Sequence, residues 1–151
     1  MKKLLIMLMI SLLLIGCQNT KKIRIEAIED YFDLLQEDND NIVKIRSDSV
    51  PGHFFFSIYF DDDYPLEDVE DTLDLVKDFL DKEDVQEAMY TYYFDHYEEP
   101  AVVNQKPPSL WIKYYTQSSN NRVFYYEKWP VFDEDDIDSQ KTWHDKWEKY
   151  E

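Results

Sequence analysis

Residues 53–60 read His-Phe-Phe-Phe-Ser-Ile-Tyr-Phe, a run that a half-solvated strand cannot carry. Successive side chains of an extended chain point to opposite faces. Phe54, Phe56, Ile58 and Phe60 therefore line one face, and His53, Phe55, Ser57 and Tyr59 the other. A strand with one wet face alternates apolar with polar residues; this one bears rings on both sides. The pattern returns downstream, with Leu110, Ile112 and Tyr114 set against Trp111, Lys113 and Tyr115, and Val123 and Tyr125 against Phe124 and Tyr126. One face of such a sheet must be covered by helices. The other is expected to offer Phe55, Tyr59, Trp111, Tyr115, Phe124 and Tyr126, either to a binding partner or to further helices of the same chain.

The helices can be read from spacing. Ile25, Ile28, Phe32 and Leu35 place one apolar stripe on a helix over about residues 23–37, ended by Asp38-Asn39-Asp40-Asn41. Strands follow at 42–47 and 53–60, parted by the turn signal Pro51-Gly52. Pro65 suits a first helical turn, where Glu67 and Asp68 complement the helix dipole. Leu66, Val69, Leu73, Val76 and Leu80 then keep a helical stripe to about Lys82. Three more strands are expected at 87–97, 110–117 and 122–129, with Ser118-Ser119-Asn120-Asn121 turning the last two into a hairpin. Ser139 can cap a final short helix with Trp143, Trp147 and Tyr150 on one side. The expected order is α-β-β-α-β-β-β-α. This is an α+β domain, a mainly antiparallel sheet of about five strands with helices packed on it.

Composition narrows the classes. In 151 residues, 33 acidic side chains face 16 basic ones, a formal net charge of −17. Nucleic-acid phosphates require a basic surface, so this chain is a poor partner for them. Aromatics at 17% supply enough apolar area for a packed core and argue against disorder. Cys17 is the only cysteine, which excludes a disulfide framework.

The first seventeen residues, MKKLLIMLMISLLLIGC, carry an address. Lys2 and Lys3 form a positive n-region, and Leu4 to Ile15 an apolar run broken only by Ser11. A spanning helix needs about 20 apolar residues, so the run has the length of a signal-peptide core instead. Leu14-Ile15-Gly16-Cys17 resembles the lipobox of bacterial lipoproteins. That resemblance covers residues 1–17 alone. It implies cleavage before Cys17, a diacylglycerol on the Cys17 sulfur, and a protein on the extracytoplasmic face of the cell membrane. Residues 1–16 would be the signal peptide, 17–24 a lipidated cysteine with a short basic tether, and 25–151 the acidic, aromatic-rich domain. The composition, rich in Lys, Asn, Ile, Tyr and Asp, suggests an AT-rich genome of the Gram-positive kind.

Charge is uneven along this mature chain. Without Lys2 and Lys3, 14 basic and 33 acidic groups remain, a net −19. Lys21, Lys22 and Arg24 make a +3 collar beside the lipid, and residues 25–151 hold a net −22. Anionic headgroups should draw the collar in and repel the acidic body.

Chemistry-bearing motifs are few. Asp61-Asp62-Asp63 and Asp133-Glu134-Asp135-Asp136 invite a calcium reading, but neither has the glycine and spaced ligands of an EF-hand loop. His53, His96 and His144 are scattered, with no zinc-binding pair, so no metal or other cofactor is expected. With Gly52 the sole glycine of the mature chain, neither a nucleophile elbow nor a phosphate-cradling loop can form. The expected function is a non-enzymatic interaction module, held at the membrane by its N-terminal lipid and binding an envelope protein, peptide or glycan. The alternative is a solute- or divalent-ion-binding lipoprotein, using the acidic runs and the surface of 53–60 and 109–128.

Overall fold

A computed structural model of the protein describes residues 20–97, 108–118, 122–130 and 143–151. Its elements are β1 (Lys21–Lys22), α1 (Glu26–Asp38), β2 (Ile42–Val50), β3 (His53–Phe60), α2 (Leu66–Leu80), α3 (Glu83–His96), β4 (Ser109–Thr116), β5 (Arg122–Lys128) and β6 (Glu148–Tyr150). The six strands make one sheet in chain order. Every neighbouring pair is antiparallel except β3–β4, which is parallel. The domain is α+β, as the sequence implies. The cysteine at 17 and the acidic run 133–136 lie outside the described residues.

The turn between β2 and β3 falls at Pro51-Gly52, where Gly52 has φ +87°, a conformation open to glycine at little cost. The Gly52 N–H donates to the Tyr93 hydroxyl at 2.6 Å, and its carbonyl accepts from the Ser109 N–H at 2.9 Å. One turn thus fastens α3 and the start of β4 to the hairpin.

The two helical stripes bury as their spacing requires. Ile28 and Phe32 of α1 are buried, as are Val69, Leu73, Val76 and Leu80 of α2, while Leu66 at the head of α2 stays exposed. Pro65 caps α2 from just outside rather than from within its first turn. All three helices cover the face of Phe54, Phe56, Ile58 and Phe60, each fully buried. Phe32 of α1 reaches Phe56 with ring centroids 5.7 Å apart, and Tyr92 and Tyr93 of α3 reach Phe54 at 6.2 and 5.8 Å. Lys77 of α2 sits over the Tyr126 ring at 3.8 Å. Burial stabilises the fold by about 1.5–3 kcal/mol for each large apolar side chain.

Two elements differ from expectation. Residues 87–97, rich in Tyr, Thr and Phe, suggest a strand, yet they lie in α3 up to His96. Val85, Met89, Tyr92 and Tyr93 are buried along one side of that helix, so packing on the sheet overrides β propensity. The change has a topological consequence. Two helices in place of one helix and a strand return the chain to the start of β3, and β4 pairs parallel to it.

The expected final helix is a strand where it is described. Glu148, Lys149 and Tyr150 form β6, Trp143 bridges to Pro130, and Ser139 lies outside the described residues. Strand alternation sends Trp147 and Tyr150 to opposite faces. Trp147 donates to both carboxylate oxygens of Asp81 at 3.2 Å, whereas Tyr150 stacks on Tyr125 at 5.0 Å.

Asp81, just past the end of α2, also holds the Lys128 ammonium at 2.6 Å. The Lys128 side chain is 3% exposed and that of Asp81 31%. Removing the acid strands a buried cation, whereas replacing both partners by apolar groups does not. Asp81→Ala is expected to cost about 2–3 kcal/mol in urea denaturation, below the range for a fully enclosed pair because water reaches Asp81. Adding Lys128→Met should restore most of that loss; a double variant no more stable than Asp81→Ala would contradict the pairing.

Candidate aromatic binding face

The sheet face opposite the helices carries His53, Phe55, Tyr59, Trp111, Tyr115 and Tyr125, all half-buried. Register explains their meeting. Residues paired across a ladder share a face, and β3–β4 pairs Phe55 with Trp111 and Tyr59 with Tyr115. Trp111 lies 5.6 Å from Phe55 edge to face, and 5.5 Å from His53. Trp111, Tyr125 and Tyr150 then stack in a row across three strands, at 4.7 and 5.0 Å. Tyr59 and Tyr115 form a second stack at 4.7 Å near the other end of β3 and β4. The Lys113 ammonium stands 3.6 Å from the Phe55 centroid and 5.1 Å from that of Trp111. Ring faces attract cations in this way through their quadrupole.

Four of the six expected residues are therefore brought together: Phe55, Tyr59, Trp111 and Tyr115. Phe124 and Tyr126 are not. Ile112 pairs with Tyr126 and Tyr114 with Phe124, so both rings face the helices, at 9% and 4% exposure respectively. The ladder shifts between Tyr114 and Tyr115, whose partner is Arg122, and Val123 is the extra residue. A slip of one residue exchanges the two faces of a strand. Nothing in Val123-Phe124-Tyr125-Tyr126 favours one parity, because both pairs hold apolar or ring side chains. Tyr125 and Tyr150 belong to the site and sequence reasoning misses them, the latter because its segment reads as a helix.

Glu127 is the other member that periodicity does not announce. It pairs with Trp111 on one side and Glu148 on the other, and only 3% of it is exposed. Its Oε1 has no hydrogen-bond partner, and neither has the Trp111 indole nitrogen. Burial raises the Glu127 pKa, the neighbouring Trp111 N–H offsets part of that, and the Glu148 charge raises it further. His53 is the counterpart. Burial lowers its pKa, the Lys113 charge lowers it again, and its Nδ1 is buried without a partner. Burial and the Lys113 charge thus both favour the neutral imidazole beside these rings.

The remaining candidates are dispersed. Asp62 accepts the Ser118 N–H at 2.9 Å, which ties the first acidic run to the β4–β5 turn. The His96 ring meets the Tyr92 carbonyl at 2.8 Å and stacks on the Tyr92 ring, while His144 is exposed and its backbone N–H donates to the Trp129 carbonyl at 2.9 Å. Among the described residues no three His, Cys, Asp or Glu side chains gather to hold a metal ion. No described helix is long and apolar enough to cross a membrane. No family model matches the chain, and no curated protein or solved structure matches it either.

The raised Glu127 pKa has a definite sign in stability. Between the unfolded and folded pKa values the native state binds more protons, so this group's contribution falls as pH rises through that window. Glu127→Gln removes the charge and keeps the shape. The variant is expected to match the wild type near pH 4 and to exceed it by about 1 kcal/mol or more at pH 7.5, as followed by urea denaturation across pH. Equal pH profiles for the two proteins would show that Glu127 is not desolvated.

Proposed function

We propose that the chain is a lipid-anchored lipoprotein on the extracytoplasmic face of a bacterial cell membrane, acting there as a non-enzymatic interaction module. The observation that carries this reading is the ring-bearing sheet face opposite the three helices. Tyr and Trp give large contact area at low entropic cost and are enriched where proteins bind one another. The ring stacks are held in register by the β3–β4 and β4–β5 ladders, so little ordering is left for a partner to impose.

The anchor part of the reading rests on Leu14-Ile15-Gly16-Cys17 and the apolar run before it. Three residues lie between Cys17 and Lys21, and the four steps of chain span at most about 14 Å. Lys21 and Lys22 are already sheet residues, paired with Ser49 and Asp48. The lipid would therefore hold the β1 edge close to the headgroups. Lys22 and Arg24 lie 3.0 and 3.9 Å from Glu29, and Lys21 donates to the His96 carbonyl at 2.6 Å. These contacts dilute the collar's attraction to anionic lipid, which leaves the acyl chains as the main hold.

A photo-crosslinking residue at position 59, on the ring-bearing face, is expected to trap a discrete adduct in intact cells. The same residue at position 34, exposed on α1, should trap none. Cys17→Ser should in parallel move the protein from the membrane to the soluble fraction or leave its precursor uncleaved. Identical adducts from both positions, or no adduct from position 59, would remove the interaction reading. A normally processed, membrane-bound Cys17→Ser protein would remove the anchor.

A further inference from the structure

Glu127 and Glu148 stand directly opposite each other on β5 and β6, on the ring-bearing face. Like charges in that position repel, and one of the two is almost wholly excluded from water. Neither is in an ion pair among the described residues. Among the described residues Glu148 accepts the Tyr150 hydroxyl, at 2.5 Å, and Glu127 Oε1 is buried without a hydrogen-bond partner. Elsewhere the domain treats buried charge differently: Lys128, on the opposite face, has its own carboxylate and an indole beside it. Among the described residues no basic side chain pairs with either acid, and the Trp111–Tyr125–Tyr150 stack borders the two carboxylates. Glu148 also lines a recess of about 430 Å³ with Trp129, His144, Asp145 and Lys146, so the pair is open to solvent on its Glu148 side. Lys146 is exposed at that rim, and no ion pair joins it to either carboxylate.

We propose that this position receives a lysine or arginine side chain of a basic partner protein, its charge held between Glu127 and Glu148 and its stem lying along the ring stack. The proposal deepens the interaction reading and rests on it. Three observations select a cationic group. An inserted cation supplies Glu127 with the partner it lacks and relieves the repulsion with Glu148. The rings around it take ammonium groups favourably, as Lys113 does over Phe55 and Trp111. The net −22 of residues 25–151 draws basic partners in from a distance and speeds their encounter. A divalent metal ion fits less well, since no third ligand comes near among the described residues.

The test uses the full-length chain in detergent micelles and a synthetic Gly/Ser peptide carrying two lysines, read by calorimetry and by the shift of the Trp111 indole N–H. Lysine acetylation keeps the stem and removes the charge. The peptide is expected to bind and its acetylated form not to. Glu127→Gln/Glu148→Gln should weaken binding about ten-fold or more. Glu37→Gln/Asp38→Asn, the same change in net charge at the distant end of α1, should weaken it less than about two-fold. Since Glu127→Gln relieves a buried charge, loss of folding is not expected to confuse the result. Equal losses in the two double variants would reduce the effect to bulk charge and overturn the proposal. Equal binding of plain and acetylated peptide, lost in Trp111→Ala, would overturn it and leave the ring face as a binding surface for uncharged groups. If no form of the peptide binds, the cationic partner is ruled out, and crosslinking from position 59 still decides the wider reading on its own.

Discussion

Burial of Phe54, Phe56, Ile58 and Phe60 beneath three helices sets the parity of the whole sheet. β3 lies between β2 and β4, and each ladder carries its parity outward. Ser47 and Ser49 follow Phe56 and Phe54 to the helix side; Leu110, Ile112 and Tyr114 do so through the parallel pair. Once that side is filled, Phe55, Tyr59, Trp111 and Tyr115 have nowhere to go but the other face. The surface that defines the candidate site is thus a by-product of a core decision made on a single strand, combined with a sequence that put rings on both sides of it.

Polar contacts then lock the periphery to this centre. Tyr93 and Ser109 close on Gly52, and Tyr97 donates to the Ser49 hydroxyl at 2.8 Å. Tyr92 donates to the Lys22 carbonyl at 2.9 Å, which holds the N-terminal edge strand to α3. At the opposite edge, Lys149 reaches Glu70 of α2 at 2.5 Å, and Lys128 and Trp147 share Asp81. Both sheet edges are therefore tied to the helical layer, and the six strands are stiffened from behind. A rigid sheet keeps the Trp111–Tyr125–Tyr150 and Tyr59–Tyr115 stacks in place. The same chemistry contrasts with Glu127, buried on the other face with one oxygen unmatched.

Much of this was legible from residue order. The stripes of α1 and α2, the Pro51-Gly52 turn and the two-faced strand 53–60 follow from periodicity and backbone sterics, which are local. Long-range choices were not legible. Tyr90, Tyr92, Tyr93 and Phe94 suit a strand by propensity, and only the packing of Tyr92 and Tyr93 against Phe54 makes them helical. The face of Phe124 and Tyr126 depends on one extra residue, Val123, beside a turn whose length the sequence leaves open. Tyr150 joined the site because three residues pair with β5, a segment too short to show alternation. Glu127 reads as one acid among 33, and only its register position distinguishes it.

The central claim is that the sheet has one face filled by helices and one presenting rings. Hydroxyl-radical footprinting of the folded protein tests it most directly, because oxidation rates of tyrosine, tryptophan and phenylalanine follow solvent access residue by residue. Tyr59, Tyr115 and Trp111 should react markedly faster than Tyr114, which shares β4 with two of them, and than Phe124 and Tyr126 on the adjoining β5. Equal protection of the two sets, or faster reaction at Phe124 and Tyr126 than at Tyr59 and Trp111, would contradict both the register of β5 and the binding face built on it.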